Sequence, residues 1–128
     1  MSYYFAKTLE LPFEAAVAKT REALAQEGFG VITEIDVQKT LKTKINVDFR
    51  PYLILGACNP ALAHQALQLE DKVGTMLPCN VVVQAAPGGG TEVAAIDPAA
   101  SMTAIDNADL AAKAQMVGDK LKAVIARL

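Results

Sequence analysis

The stretch Tyr52-Leu53-Ile54-Leu55-Gly56-Ala57-Cys58 is the longest apolar run of the chain, and its only polar atoms belong to the tyrosine hydroxyl and the thiol. It is far too short to cross a bilayer, which takes about 20 apolar residues in helical form. It suits a β-strand, and an apolar residue at every position instead of every second one predicts a strand covered on both faces, central in its sheet. Asn59-Pro60 ends it with a helix-start pair. The Asn side chain accepts an orphan amide of the first turn, and proline has no amide to leave unpaired. Leu62, Ala66 and Leu69 then supply the apolar face of that helix.

Around this block the periodicity changes repeatedly. Tyr3 to Leu9 alternates as a strand and stops at Pro12, which cannot donate to a ladder but suits a helix start. Phe13, Val17, Thr20 and Leu24 fall at helical spacing, and Gly28 supplies the left-handed stop. Phe29, Val31, Thr33 and Ile35 read as one face of a second strand, with Asp36 capping a short helix through Val37, Leu41 and Ile45. After the loop from Asp71 to Pro78, Asn80 to Ala85 and Thr91 to Ile96 form strands joined by the turn Pro87-Gly88-Gly89-Gly90. Asp97-Pro98 reads as a turn-forming pair. The closing helix is capped by Asp106 or Asn107 and carries Leu110, Ala114, Val117, Leu121 and Val124 on one stripe.

The order β-α-β-(short α)-β-α-β-β-α, with one hairpin and no strict helix–strand alternation, predicts an α+β fold: an antiparallel or mixed sheet of about five strands with helices mainly on one face. The 128 residues contain no repeat, linker or charge block, so residues 1–128 read as a single domain. A chain this long buries roughly two-thirds of the surface its unfolded form exposes, enough for a core without staples.

A formal net charge of −2, with the basic residues scattered, offers no field to gather phosphates, and nucleic acid is not an expected partner. The densest basic stretch, Lys39, Lys42, Lys44 and Arg50, reads as a solvated helix-and-loop surface. Met1 to Lys7 lacks the basic start, apolar run and cleavage site of an export signal. The expected location is cytoplasmic, with no membrane partner, and in that reducing setting the two cysteines are thiols.

Those cysteines carry the candidate site. Ala57-Cys58-Asn59-Pro60 ends one strand and Pro78-Cys79-Asn80-Val81 begins the next. If the strands are antiparallel neighbours, both Cys-Asn pairs meet at one sheet end, giving Cys58, Asn59, Cys79 and Asn80 as candidate ligand-binding residues. Cys58 precedes a helix start, where the partial positive charge favours a thiolate, so it is the better nucleophile candidate. Both cysteines also fit the role of small, inert core residues. A zinc site needs three or four ligands, and His64, the only histidine, is displaced along its helix from Cys58. Metal binding therefore rests on a shared dimeric site or on a thiophilic ion held by the two thiols alone. Asn80, opening an apolar strand, either bonds backbone or lines a site. Gly88-Gly89-Gly90 precedes a strand and lacks a following Lys-Ser or Lys-Thr, so it is no phosphate loop; Ser2 and Ser101, the only serines, sit in no nucleophile elbow.

Gly28-Phe29-Gly30-Val31, Glu34-Ile35-Asp36, the run Tyr52 to Pro60, Leu77-Pro78-Cys79-Asn80-Val81-Val82-Val83 and Ile96-Asp97-Pro98 together resemble the domain of unknown function 302 family, of the TT1751-like fold. The resemblance spans nearly the whole chain. It implies a TATA-binding-protein-like α+β arrangement and a homodimer, and it carries over no activity, no catalytic residue and no cofactor. Three functions stay open: a binding module for a small molecule or thiophilic metal at the two Cys-Asn pairs, a thiol-dependent redox enzyme in which Cys58 attacks and Cys79 resolves, and an assembly domain with inert cysteines.

Overall fold

Alternation along the strands sorts the sheet into one face packed under helices and one left open. In the computed structural model, which describes residues 2–128, the elements run β1 (Tyr4–Leu9), α1 (Phe13–Gln26), β2 (Gly30–Asp36), α2 (Val37–Ile45), β3 (Tyr52–Cys58), α3 (Pro60–Leu69), a 3-10 helix (Asp71–Met76), β4 (Cys79–Ala85), β5 (Thr91–Ile96), α4 (Pro98–Ser101) and α5 (Ala108–Ala126). The strands pair in the order β1-β5-β4-β3-β2, and all the pairings are antiparallel. This is the α+β sheet that the element order predicts. Met1, the first residue of the stretch read for an export signal, lies outside the described residues, and among them no helix is long and apolar enough to cross a membrane.

The packed face is built from Leu53, Leu55 and Ala57 of β3, Cys79, Val81 and Val83 of β4, and Val93 and Ala95 of β5, all buried. Against them lie Ala16, Ala23 and Leu24 of α1 and Leu121, Val124 and Ile125 of α5. Burying each Leu, Ile or Val side chain contributes about 1.5–3 kcal/mol, which fixes both helices to this face. Thr20, buried in the α1 stripe, satisfies its hydroxyl by donating to Ala16 O at 2.7 Å. A second, smaller cluster gathers Ala66 of α3, Val73 of the 3-10 helix, Met102, and Leu110 and Ala114 of α5.

Four expectations need correction. The apolar run Tyr52–Cys58 is packed under helices on one face, where Leu53, Leu55 and Ala57 are buried; on the other, Gly56 is buried beneath Thr33 and Pro78 but Tyr52, Ile54 and Cys58 are only half-buried. It is an interior strand, but β4 holds the middle of the sheet. In β2 the register shifts between Val31 and Thr33, a bulge at Ile32 that puts Val31 opposite Ala57 and Thr33 opposite Gly56. Because side chains alternate faces, one extra residue sends Thr33 and Ile35 to the face opposite Val31, so the predicted common face does not exist. The stretch read as a loop from Asp71 holds the 3-10 helix, and Asp97-Pro98 starts α4, with Asp97 Oδ1 accepting from Ala99 N at 3.1 Å.

Candidate functional site

The antiparallel register pairs Ala57 with Cys79 and Gly56 with Asn80, so the residue that ends β3 and the one that opens β4 lie at one end of the sheet, offset by a single position. Cys58 and Cys79 both line a cavity of about 320 Å³ between that sheet end and α3, α4 and α5. Its walls come from both apolar clusters: Phe29, Ala57 and Cys79 from the larger, Ala66, Met102, Leu110 and Ala114 from the smaller. The cavity thus lies along the seam between two packed bodies. Its size falls at the lower end of small-molecule sites, roughly 300–1,000 Å³.

Polar groups in the lining are few: the two thiols, Asn59 and Lys113. Asn59 is held by its capping role, its Oδ1 accepting from Leu62 N at 3.2 Å. Gly28, with φ +84°, leaves room for the Asn59 amide nitrogen, which would stand 3.3 Å from any Cβ there. Burial pushes the Cys79 thiol up to about 11, and the neighbouring Cys58 adds to the rise. At neutral pH Cys79 is therefore a thiol, a weak nucleophile and a wall. Cys58 is half-buried and is the more accessible sulfur.

The grouping read from the sequence is brought together for three of its four residues. Cys58, Asn59 and Cys79 line the cavity, whereas Asn80 is exposed and lines two other depressions, one with Tyr52 and Gln84 on the open face and one with Cys79 and Pro98 beside the cavity. The cause is the two-residue period of a strand: Cys79 faces inward, so Asn80 faces outward. Cys58 still reaches the cavity because β3 ends there and the chain turns into α3. His64 is exposed on α3 and does not line the cavity. Among the described residues no group of three or more His, Cys, Asp or Glu side chains could hold a metal ion.

The family described as "Domain of unknown function DUF302" matches residues 5–128. The chain belongs to the DUF302 family. The crystal structure of an uncharacterized conserved DUF302 protein from Bacillus stearothermophilus is similar, at 28% identity and a TM-score of 0.91, covering 99% of this chain and 98% of that one. No curated protein matches. In this DUF302 chain, the sequence reading of the site names only Cys58, Asn59 and Cys79 of the lining; Met102 and Lys113 are among the residues that escape it. Met102 sits in a stretch without periodicity. Lys113 has one signal, its place three residues after Leu110 and four before Val117, on the border of the α5 apolar stripe.

Proposed function

We propose that this DUF302 protein is a binding module for a small, mainly apolar organic molecule, held in the cavity lined by Cys58, Asn59 and Cys79. The observation that carries the reading is an apolar space of about 320 Å³ left between two clusters that are otherwise packed. The cleft leaves its apolar lining open to solvent, and an occupant would bury that surface and add dispersion contacts along it. Asn59, fixed by its cap, and the buried Cys79 thiol serve as rigid wall, and Cys58 is the sulfur an occupant would touch most readily.

The redox alternative ranks below this, because resolution by Cys79 needs its thiolate, and burial holds that thiol near 11. A thiophilic metal on the two sulfurs would need the same deprotonation and has fewer ligands than the three or four of a zinc site. Two free thiols fit a reducing, cytoplasmic setting. A homodimer would find apolar surface on the open sheet face, where Tyr4 and Ile35 are exposed; sedimentation equilibrium returning a monomer at all concentrations rejects that part.

Titration with octan-1-ol, followed by the methyl resonances of the methionines, tests the binding reading. Saturable shifts at Met102 are expected, and Ala63→Leu, which extends a half-buried lining residue into the cavity, should weaken binding by about tenfold or more. Unperturbed Met102, or full affinity in Ala63→Leu, rejects it.

A further inference from the structure

We infer that the natural occupant of this cavity is an aliphatic monocarboxylate of about ten non-hydrogen atoms, its headgroup met by Lys113. The inference rests on the cavity-binding reading and adds the charge and size of the ligand. Lys113 is the one charged side chain of the lining, half-buried on α5 with Leu110, Ala114 and Val117 beside it in the same wall. A lysine so placed can lay its stem along apolar surface and turn its ammonium to the mouth, the complement of a molecule with an apolar tail and one anionic end.

No protein group claims that ammonium. Among the described residues the Lys113 ammonium takes part in no ion pair or hydrogen bond; those of Lys39, Lys44, Lys120 and Lys122 share that freedom, and of these five Lys113 alone lines the cavity. Asp109 stands one turn earlier on α5, in the order that favours an i,i+4 pair, and is exposed without forming one. No carboxylate lines the cavity to repel an anion. One cation and no second donor cluster select a single negative charge over a phosphate, which recruits several donors. The volume of about 320 Å³ accommodates a chain of octanoate's size, about ten heavy atoms at roughly 30 Å³ for each water-sized group.

Calorimetric titration with octanoate, octan-1-ol and octylammonium, at low salt and matched pH, separates this inference from the reading beneath it. Octanoate is expected to bind about tenfold tighter than octan-1-ol, as one charge-assisted contact supplies, and octylammonium more weakly than either. Lys113→Met, which keeps the stem, should bring octanoate and octan-1-ol to the same affinity; Lys113→Arg should keep them apart. From butanoate to octanoate each added methylene should tighten binding about fourfold. Octanoate no tighter than octan-1-ol, an advantage that survives Lys113→Met, or affinity indifferent to chain length overturns the monocarboxylate assignment. If octan-1-ol still binds in those cases, the cavity reading stands; if none of the three probes binds, both fall.

Discussion

Cys58 and Cys79 are one register position apart and chemically unlike, because burial removes water from one sulfur and leaves part of the other open. Brief alkylation with iodoacetamide at pH 8 should label Cys58 well before Cys79, read by peptide mass spectrometry; equal labelling would contradict the burial. Cys79 also ties stability to pH. Its thiol loses a proton near 9.0 when unfolded and near 11 when folded, so across that interval the unfolded chain releases the proton first and stability falls as pH rises. The loss amounts to about 2–3 kcal/mol by pH 11 and is absent below 9. Denaturant melts at pH 8 and 11 should show a smaller drop for Cys79→Ala than for wild type, the other titrating groups cancelling in the comparison. Gly56 is constrained by its neighbours: a Cβ there would stand 2.0 Å from Thr33 Oγ1 and 2.7 Å from Pro78 Cγ. Gly56→Ala should cost about 1–3 kcal/mol in urea unfolding. Adding Thr33→Ala should return part of that, since the two changes share one contact.

Helices α2, α3 and α5 begin where side-chain oxygens reach their first amides, whereas α1 starts after Pro12 with no side-chain cap. Asp36 accepts from Lys39 N at 2.9 Å, Asn59 from Leu62 N at 3.2 Å and Asn107 from Leu110 N at 3.0 Å. Asn107 also donates through Nδ2 to Leu69 O at 3.1 Å, joining the start of α5 to the end of α3. Asn107→Ala should therefore lose more than Asp36→Ala, about 2 kcal/mol against about 1, by urea denaturation. Equal losses would mean that the bond to Leu69 contributes nothing. Local chemistry of this kind was legible in the chain: Asn59-Pro60, Asp36 and the four-and-three spacing of the last helix mark their elements with no partner in view. Such marks do not always decide: Asp97-Pro98 is the same cap-and-proline pair, yet it reads as a turn where it starts the four-residue α4. The 3-10 helix from Asp71 carries no apolar period, and the bulge at Ile32 leaves no trace in residue type because its cause is the pairing with β3.

At the scale of the molecule, the sheet with α1 and α5 forms one packed body, and α3, α4 and the first half of α5 enclose the other, with the cavity along their seam. An occupant that binds only the folded state should stabilise it by about 2.7 kcal/mol at a hundredfold excess over its Kd. Octanoate at that level should raise Tm by several degrees in wild type and less in Lys113→Met at the same concentration; an identical rise in both would remove Lys113 from the site. The sequence by itself determined the α+β order and the capped helix starts, because each follows from periodicity or capping within short stretches of chain; the meeting of Cys58 with Cys79 waited on the antiparallel pairing of β3 with β4. Tertiary structure alone decided which face Asn80 would take and that Lys113 would border the cavity. It also decided that two clusters would pack without closing on each other, since the shape of the space between helices depends on how all of them settle on the sheet at once.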